Sequence, residues 1–289
     1  MANASRLRVL AAIPHYFGQT NRAEDNHSMH MANLQVPAVR RGIVERTIAS
    51  LRNLADGELV ASVDVLVCGI PACALVSIDC DRSMIADPRL LVYEALDCLI
   101  ARIDQYDYFV LVEDDVAVGA DVIKNAVEFD AESAINEVLH PNRIEEINGD
   151  RFVTDIRIRG GWTVQRKYFK GHTLGVAANP HSAIVVLSRD KLRYCLEHSD
   201  RSFRGLFRHG TFDGGYMASA FANLLTPVSL YRPMDALDFH AVLHQDPFIP
   251  EATPRSHKVK AALKRLLPPI VVDAREAWKK RKRMPTAHK

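Results

Sequence analysis

The chemistry-bearing residues of this chain concentrate where an apolar run meets three acids: Tyr108-Phe-Val-Leu-Val112 is followed at once by Glu113-Asp114-Asp115. Adjacent carboxylates repel one another unless a cation neutralises them. An oxygen-rich site suits a hard ion such as Mg²⁺ or Mn²⁺, which keeps coordination positions for substrate phosphates. Glu113 and Asp115 share one side of an extended chain, so both can face a single ion; Asp114 between them is a candidate cofactor-binding residue. A second concentration lies late in the chain. There His240 and His244 form the densest late histidine cluster, and Asp238 can orient His240 from outside a coordination sphere. His-x-x-x-His on a helix would suit zinc, but the adjoining Glu of a zinc protease is lacking. Asp213 precedes Gly214-Gly215 at the start of an apolar segment, a position open both to acid–base chemistry and to helix capping.

Such groups need a scaffold. Phe109 to Val112 is short, β-branched and apolar on both alternating faces, which marks a strand buried in a parallel sheet. Ligands gather at the carboxyl ends of such strands. Leu7 to Ile13 predicts a first strand leading into Pro14-His15-Tyr16. Val39, Ile43, Thr47, Leu51 and Leu54 recur at helical spacing. Ser62 to Ile70 reads as a strand stopped by Pro71, and Asp87-Pro88 opens a helix running to about Ile103. Ala120 to about Leu139 reads as a further helix. Strands alternating with helices predict an α/β domain with helical crossovers.

In the second half, Arg151 to Ile158 predicts a strand or hairpin, broken by Gly160-Gly161. Ser182 to Leu187 predicts a strand, Arg189 to His198 a helix, Arg201 to Gly210 a basic loop, Tyr216 to Leu225 an apolar helix and Pro227 to Tyr231 a short strand. The first strand is not followed by Gly-x-Gly-x-x-Gly, and there is no Walker lysine loop, which argues against dinucleotide and ATPase chemistry.

The chain's 289 residues, 48% hydrophobic and 25% charged, suffice for a full α/β core. Its five cysteines form no Cys-x-x-Cys pair, so reduced thiols are expected rather than a disulfide framework or a zinc site. No apolar stretch approaches the length of a membrane span, and the amino terminus does not read as a signal peptide. The net charge of +2 hides a split. Arg255 to Lys289 holds 12 Lys or Arg and 2 acids, a net of +10, while the rest holds 25 and 33, a net of −8. Lys258 to Leu267 reads as a basic amphipathic helix ended by Pro268-Pro269, and Trp278 stands beside Lys279-Lys-Arg-Lys-Arg283. Such a segment suits an anionic membrane surface. Nucleic acid is not an expected partner, since the tail lacks stacking aromatics and a known module. The expected organisation is one domain over residues 1–250 and a basic tail over 251–289. The expected location is cytoplasmic, peripheral on the inner face of the membrane.

In kind and order these features resemble the nucleotide-sugar-dependent glycosyltransferases of the GT-A fold, over roughly residues 7 to 245. Glu113-Asp114-Asp115 stands in place of the family's Asp-x-Asp. Gly171-His-Thr-Leu-Gly175 to Asn179-Pro-His-Ser182 resembles its glycine-bearing loop before a central strand. Asp213 stands where an acid opens a late helix, although the family's pair of acids is reduced here to Phe212-Asp213. His240 or His244 stands where a histidine completes the metal site. The resemblance implies a Rossmann-like, mostly parallel sheet flanked by helices. It implies Mn²⁺ or Mg²⁺ held by Glu113, Asp115 and His240 or His244. It also implies a nucleotide-sugar donor, expected to be UDP-linked, and inverting transfer to a saccharide or lipid-linked acceptor with Asp213 as base. Pro14, His15 and Tyr16 follow the first strand, where such folds admit the nucleotide. Asp79 and Arg82 follow the second strand, and Arg46 lies in the first helix within reach of the phosphates. Two other classes fit the same acids. One is a metal-dependent phosphoesterase or nucleotidyltransferase, which needs further carboxylates around the ion. The other is a non-catalytic, membrane-associated glycan-binding protein.

Overall fold

A computed structural model describes residues 6–18, 36–56, 58–147, 149–153, 161–177, 181–206, 208–209, 212–213 and 215–246. The expected basic tail lies outside the described residues, as does most of the expected hairpin at Arg151–Ile158. The chain opens with β1 (Leu7–His15), α1 (Pro37–Arg52), β2 (Val60–Gly69), β3 (Cys80–Asp81), α2 (Leu91–Ile100) and β4 (Tyr108–Val112). After the acids come β5 (Val116–Val118), α3 (Ala120–Asp130), β6 (Glu137–Leu139), β7 (Asn142–Ile147) and β8 (Asp150–Val153). Next are β9 (Trp162–Phe169), β10 (His172–Ala177), β11 (Ile184–Ser188) and α4 (Arg189–His198). The paired β12 (Arg208–His209) and β13 (Phe212–Asp213) precede α5 (Tyr216–Leu225), β14 (Ser229–Pro233) and β15 (Ala241–His244).

The fold is α/β with mixed sheets. The central sheet has the order β11-β4-β1-β2-β3. β1 to β4 run parallel to their neighbours, whereas β11 is antiparallel to β4. Alternate residues face opposite sides. Leu10, Ala12, Phe109 and Leu111 pack with α2, α4 and α5 on one face. Val9, Ala11, Ile13, Val110 and Val112 pack with α1 and α3 on the other. Both faces are covered, which is why β4 is apolar throughout. Two further sheets, β6-β14-β10-β9 and β5-β15-β7-β8, mix parallel and antiparallel pairs. No helix among the described residues is long and apolar enough to cross a membrane.

Two expectations need correction. The helix from Ala120 ends at Asp130, not near Leu139. Its buried stripe of Val122, Ile123, Ala126 and Phe129 lapses there. Lys191 Nζ then donates to Asp130 at 2.6 Å and to Ser133 at 2.9 Å, pinning a turn, and Glu137–Leu139 joins β14 as a strand. The glycine-bearing stretch from Gly171 is a turn and a strand: Gly171 takes φ 83°, a left-handed value that favours glycine, and β10 follows at once. His240 ends a turn and His244 ends β15.

Candidate functional site

Strand register builds the site. Glu113 N–H donates to the Ala183 carbonyl at 2.9 Å, setting the acidic run beside the entry to β11. β5 continues from Asp115 and pairs with β15 so that Val116 lies opposite His244. Gln245 N–H donates to the Asp115 carbonyl at 2.8 Å. The other edge of β15 pairs with β7, placing His244 opposite Glu145. Three segments distant in sequence thus put Asp115, His244 and Glu145 side by side. His244 Nε2 is 3.5 Å from Asp115 Oδ1, and His244 Nδ1 is 3.6 Å from Glu145 Oε1. Glu113, Asp115 and His244 each offer one ligand atom, all within 4.8 Å of one another. Bonds of about 2.1 Å to one Mg²⁺-sized ion set ligand atoms about 3 Å apart when adjacent and about 4 Å apart when opposite. The three therefore fit a divalent ion after a small closure. Asp115 Oδ1 is buried and accepts no hydrogen bond among the described residues, as expected of a ligand atom. No protein-family model matches the chain, and no curated protein matches it.

Asp114 is committed to the protein itself. Leu75 N–H donates to His15 Nε2 at 3.1 Å, which leaves the ring proton on Nδ1, and Nδ1 donates to Asp114 Oδ2 at 2.7 Å. Arg40 donates to Asp114 Oδ1 and, at 3.2 Å, to Asp115 Oδ2, with Asp246 Oδ2 at 3.9 Å. Burial opposes the Arg40 charge, but Asp114, Asp115 and Asp246 overcome it and hold the guanidinium protonated. Burial likewise pushes the Asp115 carboxyl up, and His244, Arg40 and Arg143 together bring it below its ordinary value. Asp246 moves the other way, raised by burial and by the charge of Asp115. His181 Nε2 lies 3.7 Å from Glu113 Oε1, and burial beside Arg143 and Arg232 keeps that imidazole neutral.

Pro14, His15 and Tyr16 line a cleft of about 200 Å³ together with Glu113, Asp114 and Asp115, with Arg89 and Met217 also in its wall. The grouping expected from the sequence is present, but individual roles differ. His15 has both ring nitrogens engaged and is 1% exposed, so it holds Asp114 rather than reading a base. Gly69 pairs with His15, and a Cβ there would lie 2.4 Å from the His15 carbonyl oxygen, so only glycine permits this approach. Arg46, Asp79 and Arg82 do not line the cleft. Arg46 donates to Gln245 at 2.8 Å, Asp79 accepts from Val67 N–H at 2.9 Å, and Arg82 pairs with Glu94 at 2.9 Å. The backbone of Asp213 pairs with Arg208 in a two-stranded ribbon, and Gly215 rather than Asp213 is the residue that caps α5. The Asp213 side chain lies outside the described residues. Arg40 and Glu145 are residues of the candidate site that the sequence reading passed over. Arg40 carried a signal: it falls on the same helical stripe as the buried Ile43, Val44 and Thr47.

Of the two candidate histidines, the geometry brings His244 to the acids. His240 is fully buried, and burial pushes it down to about 3, with the Leu139 carbonyl opposing. An unfolded histidine titrates near about 6.5. Between those values the unfolded chain binds the extra proton, so stability is lost as pH falls. The expected slope from this residue is about 1.4 kcal/mol per pH unit. Urea unfolding across that range should show a slope shallower by one proton in His240→Leu. An unchanged slope would mean that His240 is not held neutral.

Proposed function

We propose that this chain is a metal-dependent glycosyltransferase of GT-A-like architecture. It moves a sugar from a nucleotide-sugar donor, UDP-linked, to a hydroxyl of a saccharide or lipid-linked acceptor, with inversion. The observation that carries this reading is the convergence of Glu113, Asp115 and His244 at the end of β4, beside the loop after β1. The run of parallel strands β3-β2-β1-β4 with antiparallel β11 beside them also supports it.

A Mn²⁺ or Mg²⁺ ion bound by Glu113, Asp115 and His244 would neutralise the diphosphate that departs with the nucleoside. The protein's own groups prepare for that event. Glu145 faces His244 Nδ1 and so presents Nε2 toward Asp115. Arg40 and His15 fix the Asp114 side chain, and the Thr47 hydroxyl donates to the Asp114 carbonyl at 3.2 Å, so the acidic run is held at both levels. Arg89 in the cleft wall is the candidate phosphate contact. Asp213 would take the acceptor proton while the acceptor oxygen attacks the anomeric carbon and the diphosphate leaves from the opposite face.

Asp115→Asn tests the metal assignment. Titration calorimetry with UDP, with and without Mn²⁺, should show metal-dependent affinity in the wild type. In the variant that affinity should fall by at least the roughly tenfold to hundredfold that loss of an outer-sphere partner alone can cost. Unchanged metal-dependent affinity would sink the assignment. Glu145 and Asp246 keep a second reading in view, because phosphoesterases and nucleotidyltransferases need further carboxylates near the ion. Here Glu145 faces His244 and Asp246 lies near Arg40, which favours the transferase. Metal-dependent cleavage of an unactivated phosphoester would favour the alternative.

The membrane reading rests on residues 255–289 alone. Their removal is expected to release the protein from anionic vesicles and to leave soluble donor hydrolysis intact. Binding by the full chain should weaken along a salt series, since charges farther apart than about 8 Å are screened at physiological ionic strength. Equal co-sedimentation with neutral vesicles would rule out an electrostatic anchor.

A further inference from the structure

Cys68, Cys80 and Cys98 take no part in the cleft, and no sequence motif links them. They come from three elements, β2, β3 and α2. The parallel pairing of β2 with β3 sets Cys68 opposite Cys80. Helix α2 packs over the same face and brings Cys98 Sγ to 3.7 Å from Cys68 Sγ. The three sulfur atoms all lie within 4.8 Å of one another. The residues are 0%, 9% and 4% exposed, and all three thiols are free.

Buried thiols often serve as small apolar side chains. Two features here point to a ligand instead. The first is spacing. A Zn–S bond of about 2.3 Å places two sulfurs about 3.8 Å apart in a tetrahedral site and about 4.0 Å apart in a trigonal one. The Cys68–Cys98 separation already matches the edge of such a site, whereas a disulfide requires about 2 Å. The second is charge. Arg82 Nη2 lies 3.0 Å from Cys98 Sγ, and Glu94 anchors the same guanidinium through Nε at 2.9 Å. A guanidinium against a thiol favours the thiolate. Three thiolates around a divalent ion carry one net negative charge, and Arg82 offsets it.

We propose that Cys68, Cys80 and Cys98 form a soft-metal site that takes a thiophilic d¹⁰ cation, Zn²⁺ in the reduced protein. Binding forms three metal–thiolate bonds and releases the protons that the thiols still carry, so no oxidant or reductant is involved and affinity rises with pH. The bound ion ties β2, β3 and α2 together and closes the segment between residues 68 and 80. That segment carries Leu75, whose N–H holds His15. The site therefore braces the support of Asp114 from outside the cleft.

The test uses the full-length chain, reduced with a phosphine and titrated with Cd²⁺ as a spectroscopic stand-in. The expected result is one thiolate-to-metal charge-transfer transition per chain. It should be lost in Cys68→Ser and Cys98→Ser, and retained in Cys195→Ser and Asp115→Asn. X-ray absorption of the zinc-loaded wild type supplies a readout that does not depend on variants folding, and should show sulfur scatterers at about 2.3 Å. The proposal is overturned by a wild type without the transition, by a transition that survives Cys98→Ser, or by a shell of nitrogen and oxygen alone. Formation of a Cys68–Cys98 disulfide in air by a chain that binds neither ion would overturn it as well.

Discussion

Arg40→Met is expected to destabilise the chain by about 3–5 kcal/mol, the usual consequence of removing one member of a buried ion pair. At this size that corresponds to a fall of roughly 6–20 °C in the melting temperature. Arg40 is 8% exposed and faces Asp114, Asp115 and Asp246 together. Methionine replaces most of its aliphatic volume, so the loss measures charge rather than a cavity. Without the guanidinium, His15 is the ion-pair partner that remains to Asp114 among the described residues, while Asp115 keeps His244 at 3.5 Å. The same variant bears on the metal. If Asp115 holds the proposed ion, Mn²⁺ should recover more stability in Arg40→Met than in the wild type, because the ion would take over neutralisation of Asp115. Melting curves with and without Mn²⁺ provide the check, with Arg40→Lys as the charge-preserving control. Melting at the wild-type temperature would show that the acids do not depend on Arg40. Destabilisation with no differential response to Mn²⁺ would leave Arg40 a purely structural counter-ion.

The elements legible in the sequence are those whose periodicity is local. α4 and α5 begin and end where the apolar spacing places them, at Arg189–His198 and Tyr216–Leu225. β1, β2 and β4 are long or wholly buried and stand out as apolar runs. The strands that complete the site are different. β5 and β15 are three and four residues long, and β7 carries Asn142, Arg143, Glu145 and Glu146 around Ile144 and Ile147, a pattern without an apolar face. Their identity as strands comes from pairing with one another, information that no short window holds. The same limit explains the histidines. His240 and His244 look equivalent in sequence, but the register of β15 against β5 and β7 selects His244, while His240 ends the preceding turn. Spacing also hid the thiols. Cysteines 12 and 30 residues beyond Cys68 form no motif until β2, β3 and α2 are packed. Charge patterning did leave one trace that could have been used: Arg40 on the buried stripe of Ile43, Val44, Thr47, Ile48 and Leu51 calls for a buried anion, and the acidic run after β4 provides it.

Asp213→Asn is expected to slow sugar transfer by about a hundredfold to ten-thousandfold, the range attributed to a positioned general base, with donor affinity unchanged. Asparagine preserves shape and removes the proton acceptor. Asp213 stands four residues before Met217, which lies in the cleft wall, and an extended chain spans at most about 3.6 Å per residue. Its backbone is therefore within about 14 Å of that wall, and the proposed role requires the carboxylate to come within hydrogen-bond reach of the acceptor hydroxyl. Magnitude separates this role from a structural one. A charge near the start of a surface helix contributes about 0.3–1 kcal/mol, and Gly215 already fills the cap position of α5. A hundredfold loss of rate corresponds to about 2.7 kcal/mol of transition-state stabilisation, which a weakened helix end does not supply. Turnover, donor titration and melting temperature should be measured on the same preparation. A collapse in kcat with donor binding and melting preserved identifies the base. Wild-type turnover in a variant that only melts earlier would reduce Asp213 to a helix-end charge and move the search for the base to another carboxylate facing the cleft.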